Sequence, residues 1–225
     1  MKAGRPGSRP AEIYARRRLA AIAGRWDQKA AAWDRDLEDP ACHLNADDAY
    51  ERFLQALRRV IALEPDLCAR QGVVDAGCGT GLVLSQVLDS FAWGVGVDIS
   101  PEMIRFAQAR HLRRAKFVVG DCFKLPSLCP PAGAVCSRGV LLSHYGKVQG
   151  QRLLGAVRAS LVPGGFCLLD FLNATARTRY QYQPQEKIFY TNAKVLAMAQ
   201  QAGFIRATVI GEPARRVLLL LAETA

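Results

Sequence analysis

Val73-Val74-Asp75-Ala76-Gly77-Cys78-Gly79-Thr80-Gly81 is the stretch on which the fold turns. Residues 72 to 76 form a short, mostly apolar run with strand character, and residues 80 to 90 read as a helix. The glycines between them let the backbone turn sharply and approach a ligand closely. A turn from strand to helix is where open α/β sheets bind ligands, and the helix N-terminus behind it favours an anionic group. The spacing is G-x-G-x-G. A dinucleotide site has G-x-G-x-x-G, but here Leu82 stands where its third glycine belongs, and Asp75 would repel a pyrophosphate.

Two further stretches extend the pattern. In Gly94-Val95-Gly96-Val97-Asp98-Ile99-Ser100, Asp98 closes a second strand, where a carboxylate accepts both ribose hydroxyls of a nucleoside. Ser100 is the better N-cap for the helix opening at Pro101, which leaves Asp98 for a ligand with little expected part in stability. In Val118-Val119-Gly120-Asp121-Cys122, Asp121 comes just after a third strand. It can accept from an exocyclic amine while the next backbone N–H donates to a ring nitrogen; the alternative is a turn aspartate.

The rest of the chain alternates. Strands are expected at 93–97, 116–119, 134–137 and 166–172, and helices at 101–111, 149–161 and 192–202. Pro163-Gly164-Gly165 is expected to stop the helix before it. Such alternation implies a mostly parallel sheet covered on both faces. Strands at 205–210 and 216–221 are joined by a loop too short for a parallel crossover, so the last strand must run antiparallel. Upstream, a helix is expected from 11 to 34, broken by Pro40. A second helix comes next, capped by Asn45 or Asp47 and ended by Glu64-Pro65, with Tyr50, Phe53, Leu54, Leu57, Val60 and Ile61 as its apolar stripe. Residues 1–68 thus read as a basic arm and helical lid, and 69–225 as the ligand-binding domain.

Composition sets limits. The chain has 225 residues, half of them hydrophobic, enough for one sizeable core. No apolar run approaches the roughly 20 residues of a membrane span, and MKAGRPGSRP leads into no apolar signal segment, so a cytoplasmic protein without a membrane partner is expected. The seven cysteines include no C-x-x-C pair, which argues against a disulfide scaffold and a structural metal site; Cys136 and Cys167 read as small buried hydrophobes. The net charge is +10, of which residues 1–20 supply +5 (Lys2, Arg5, Arg9, Arg16, Arg17 and Arg18 against Glu12). Only one aromatic residue, Tyr14, stands among these arginines, too few for the stacking surface that nucleic acid requires, so a solvated arm is expected.

Together these motifs resemble the class I S-adenosylmethionine (SAM)-dependent methyltransferases, specifically the small-molecule type, from about Val73 to the end. The carriers are Asp75 with Gly77, Gly79 and Gly81, then Asp98, Asp121, the turn Leu161-Val162-Pro163-Gly164-Gly165 and the terminal hairpin. Trp26-Asp27 and Trp33-Asp34 give a weaker echo. The resemblance implies a Rossmann-like, doubly wound seven-stranded sheet with an antiparallel last strand and an N-terminal helical cover. It implies SAM as cofactor, bound by Asp75, Gly77, Cys78, Gly79, Gly81, Asp98, Ile99, Met103, Asp121, Cys122 and Arg138. A small-molecule acceptor is expected against Trp33, His43, Tyr50 and Tyr145, with His144, after the fourth strand, as the candidate general base. Arg138 has two further readings, a partner for an acidic substrate group or a surface side chain.

The departures narrow the class. Ala132-Gly133 replaces the aromatic-Asp pair frequent at the start of the fourth strand, residues 137–145 contain no Asn-Pro-Pro-Tyr, and Cys129-Pro130 reverses the Pro-Cys of cytosine-C5 enzymes. A tailoring enzyme of secondary metabolism is one role that fits. A tRNA or rRNA methyltransferase and a non-catalytic SAM-binding partner subunit are the alternatives. Oxygen, nitrogen and carbon acceptors, and any oligomeric state, are compatible with these residues.

Overall fold

Val73, Val74 and Ala76 have no exposed surface, as expected of a strand covered on both faces at the centre of a parallel sheet. The computed structural model describes residues 10–38, 48–139, 141–177, 187–211 and 217–222. In chain order the elements are α1 (Pro10–Asp27), α2 (Trp33–Glu38), α3 (Ala49–Leu63), α4 (Pro65–Arg70), β1 (Gly72–Ala76), α5 (Leu82–Val87), β2 (Trp93–Asp98), α6 (Pro101–Gln108), β3 (Ala115–Val119), α7 (Leu125–Leu128), β4 (Ala132–Ser137), α8 (Lys147–Arg158), β5 (Leu161–Phe171), α9 (Asn192–Gln201), β6 (Arg206–Ile210) and β7 (Val217–Ala222).

The strands form one seven-stranded sheet in the order β3-β2-β1-β4-β5-β7-β6. Strands β1 to β5 are parallel, and β7 runs antiparallel to both β5 and β6, as the short final connection requires. The chain builds outward from β1 to β3, then returns to lay β4 on the other side of β1. The crevice at the carboxyl ends of β1 and β4 is therefore the switch point at which such sheets take ligands. One face is covered by Leu153, Leu154 and Val157 of α8 and Val195 and Met198 of α9. Phe53, Leu54 and Leu57 of α3, with Val83 and Leu84 of α5, cover the other.

Several boundaries differ from the sequence expectation. The single helix expected over 11–34 breaks after Asp27, passes through a 3-10 turn at Ala30–Ala32 and restarts as α2. The break frees the Asp27 carboxylate to accept from Ser100 Oγ at 2.5 Å and the Glu102 amide at 3.1 Å, at the start of α6. The second upstream helix ends at Leu63 with Glu64 as its C-cap, as Glu64-Pro65 led one to expect, but Pro65 also opens α4 in its first turn, where its missing N–H costs nothing. The helix expected to reach Leu161 stops at Arg158, and Pro163-Gly164-Gly165 lies inside β5, at a register irregularity against Ala132 and Ala134 of β4. Asn45 and Asp47, the expected caps, lie outside the described residues; Asp48 occupies the N-cap of α3. Cys68, Cys78, Cys122, Cys129, Cys136 and Cys167 are buried free thiols, and no cluster suited to a metal ion occurs among the described residues. Nor is any described helix long and apolar enough to cross a membrane.

Candidate active site

The glycine turn and Asp98 are built as one unit. Gly77 and Cys78 donate their amides to the Val97 carbonyl at 2.7 and 3.1 Å, tying the turn to the end of β2. Gly79 adopts φ +53°, in the left-handed region, and its amide donates to Asp98 Oδ2 at 2.9 Å. The Ser100 amide donates to Asp98 Oδ1 at the same distance, while the Ser100 hydroxyl caps α6 by accepting from Met103. Asp98 is thus nearly buried and fastened on both oxygens, each of which keeps a second lone pair for a ligand hydroxyl. Burial raises its pKa, against the pull of the backbone N–H groups that hold the charged form.

Asp75 is treated differently by the fold. It is 1% exposed, and neither carboxylate oxygen has a hydrogen-bond partner. Burial, reinforced by the charge on Asp98, pushes its pKa up to about 7; the neighbouring Cys136 thiol opposes this without reaching hydrogen-bond geometry. A buried carboxylate with no partner, facing a cavity, is shaped for a cationic or donor group on a ligand. Asp121 also lines the cavity and plays the turn role as well, accepting from the Phe123 amide at 3.0 Å.

The cavity measures about 290 Å³ and brings together most of the residues expected from the sequence. Asp75, Gly77, Cys78, Gly79, Asp98, Ile99, Met103, Asp121 and Cys122 line it on the β1–β3 side, and Trp33, Tyr50, Arg138, His144 and Tyr145 join them. Gly81 does not reach it. A Cβ there would lie 2.9 Å from the Phe117 ring, so Gly81 serves close packing of the turn on the sheet. His43 lies outside the described residues. Arg138 is buried, which removes its surface reading, and its guanidinium stacks 5.2 Å from the centre of the Tyr50 ring. The Tyr50 hydroxyl has no hydrogen-bond partner; burial raises its pKa, and Arg138 opposes the rise.

His144, at the end of a 3-10 turn spanning Leu141–His144, is placed in the cavity as expected, but its electrostatics argue against a base. Burial, Lys187 and Arg25 together lower its pKa to about 3. The Lys187 ammonium contacts Nε2 and lies 3.4 Å from Nδ1. At neutral pH such a ring stays uncharged, so it accepts a hydrogen bond from lysine far more readily than a proton from substrate.

Several lining groups have no counterpart in the sequence expectation. Ile22, Arg25 and Trp26 reach the cavity from the end of α1, and Leu141 from the turn after β4. Trp26 meets Trp33 edge-to-face at 5.4 Å and His144 at 5.9 Å. The two Trp-Asp pairs carry the only early signal. Each sends its indole into the cavity and its carboxylate onto the sheet domain, Asp27 at the start of α6 and Asp34 to the Thr80 hydroxyl and Arg110. Lys187 gave no signal; it is delivered by the chain between β5 and α9, where the Ile188 amide donates to the Ser143 carbonyl at 2.7 Å.

This arrangement was compared with known proteins. Residues 73–165 match the model of a methyltransferase domain. No curated protein matches the chain. Among solved structures, magnesium protoporphyrin IX methyltransferase from Synechocystis, with bound S-adenosylhomocysteine, is 15% identical with a TM-score of 0.70, over 91% of this chain and 99% of that one. A SAM-dependent methyltransferase from Clostridium acetobutylicum is 12% identical with a TM-score of 0.71, over 86% and 100%. A SAM-bound amino pentose methyltransferase from Micromonospora echinaspora is 17% identical with a TM-score of 0.63, over 80% and 94%. Residues 73–165 thus match a methyltransferase domain, and the strand order with its antiparallel β7 is the fold these structures share.

Proposed function

We propose that the chain transfers a methyl group from SAM to a small molecule, with the acceptor between the strand ends and the N-terminal helices. The observation that carries this reading is a single cavity with two unlike parts, strand-end carboxylates on one side and the rings of Trp26, Trp33 and Tyr145 on the other. The second lone pairs of Asp98 suit the ribose hydroxyls, Asp121 the adenine amine, and the partnerless Asp75 the amino acid ammonium. Bound SAM supplies a sulfonium methyl that is already activated. The chain's own task is then to align an acceptor with it and keep water out, and α1 and α2, docked through Asp27 and Asp34, supply the cover. Two of the similar structures are named for a porphyrin and an amino pentose as substrates, which supports a small-molecule acceptor.

Thermal unfolding tests the reading directly. SAM is expected to raise the midpoint by mass action, and NAD to leave it unchanged. Stabilisation by NAD and none by SAM would sink the proposal.

The Asp75 role predicts a pH profile. A cation favours the ionised carboxyl, so binding lowers a pKa that stands at about 7 in the free protein, and protons leave as SAM enters. Affinity for SAM should therefore rise with pH up to about 7 and then level off, by at most tenfold per pH unit. Calorimetric titration across that range measures the slope, and Asp75→Asn should flatten it. An unchanged slope in that variant would remove Asp75 from the ammonium site.

A further inference from the structure

We infer that the methyl acceptor is an anion whose nucleophilic oxygen is held by Arg25 and Lys187 beside His144; this rests on the methyltransferase reading above. The first observation is how charge is distributed over the sheet. Asp75, Asp98 and Asp121 stand on or just after β1, β2 and β3. Arg138 and His144 come after β4, and Lys187 lies in the chain beyond β5, whose end is tied to the same segment by the Tyr190 amide donating to the Leu172 carbonyl. Because β1 and β4 are neighbours, the acidic wall gives way across one strand spacing, roughly 5 Å, to one lined by Arg138 and, from α1, Arg25, with Lys187 against His144 behind it.

The second observation is the company His144 keeps. Arg25, in the last turn of α1, lines the cavity, and the adjacent Trp26 packs against the His144 ring. Lys187 brings its ammonium to Nε2 of the same ring. A neutral alcohol as acceptor would need a base to take its proton, and a proton on His144 would make a third cation beside Arg25 and Lys187. Burial first, and then these two cations, hold the ring's pKa low. The same two cations that oppose an imidazolium stabilise an oxyanion. A carboxylate or phenolate needs no base: its oxygen lone pair forms the C–O bond as the methyl C–S bond breaks, the bonding pair stays on sulfur, and no proton moves. The products are an uncharged ester or aryl ether and an uncharged thioether. The indoles of Trp26 and Trp33 fit an apolar, planar body behind the anionic group.

The test compares 2-naphthoate with its neutral isostere 2-naphthamide. Both are titrated calorimetrically into the S-adenosylhomocysteine-loaded protein and into Arg25→Gln and Lys187→Gln variants. Naphthoate should bind roughly tenfold or more tighter than the amide, each variant should lose about that factor for naphthoate, and amide binding should not change. Equal affinities in the wild type, no binding of naphthoate at millimolar concentration, or variants that bind naphthoate like the wild type would overturn the inference. Thermal shifts with S-adenosylhomocysteine separate it from its foundation. If the cofactor product stabilises all three proteins while anion selectivity is missing, only the anionic acceptor fails. If it stabilises none of them, the methyltransferase reading fails too.

Discussion

Gly79→Val is expected to abolish SAM binding, weakening it by at least about 100-fold, roughly 2.7 kcal/mol, while the protein stays folded. Three features converge on that residue. Its φ of +53° lies in a region that a β-branched residue all but never adopts. A Cβ there would sit 3.2 Å from Trp33 Nε1, tighter than ordinary contact, so the helical cover would have to move. Its amide also holds Asp98 Oδ2, so distorting the turn misplaces the carboxylate at the end of β2. Residues 77 to 81 form a largely buried turn between β1 and α5, but Cys78 is its one member of a core cluster, so most of the packing on the two sheet faces should survive. Calorimetric titration with SAM, alongside thermal unfolding, checks both halves; SAM binding at wild-type affinity would place the cofactor elsewhere.

Asp98→Ala should weaken SAM binding by about 1.5–3 kcal/mol, the range for a hydrogen bond to a charged group, or roughly 10- to 150-fold. Read from the sequence, this carboxylate had little to do with stability, and the structure corrects that. Asp98 accepts from two buried amides, Gly79 and Ser100, and its loss leaves both without their partner. An unfolding midpoint lowered by several degrees is therefore expected in the absence of ligand, from a cost of about 1–3 kcal/mol per unmet amide less the relief of not burying a charge. Asp98→Asn separates the two effects. It keeps the acceptor oxygen for one amide, so more of the stability than of the cofactor affinity should return. Unchanged SAM affinity in Asp98→Ala would remove the residue from the site.

What could be read in advance was whatever local chemistry dictates. The glycine turn, Asp98 and Asp121 announce themselves because a strand end, a tight turn and a helix start each demand particular residues at fixed spacing. The antiparallel β7 could be deduced from loop length alone. Glu64-Pro65 marked the end of α3, but that the same proline opens α4 depends on the packing of the residues beyond it. The break after Asp27 was hidden because its cause, the start of α6, lies some 75 residues further on. His144 lines the cavity, yet its proton affinity is set by burial and then by Lys187 and Arg25, which no spacing rule connects to it. Gly81 shows the opposite error: the motif assigns it to the ligand, while its neighbour Phe117 assigns it to the core.

The layout of the cavity wall bears on how such a chain diversifies. The acidic wall comes from β1 and the ends of β2 and β3, while the other wall is assembled from the end of α1 and the turn after β4, with Lys187 packed against His144 behind it. Those segments are far apart in the chain, and the charges they contribute, Arg25, Arg138 and Lys187, are not part of either core. Replacements there alter the outline and charge of one wall and leave the methyl-donating machinery as it was. Descendants of one ancestral gene can thus drift from acceptor to acceptor in small steps, each remaining folded and loaded with the same donor along the way.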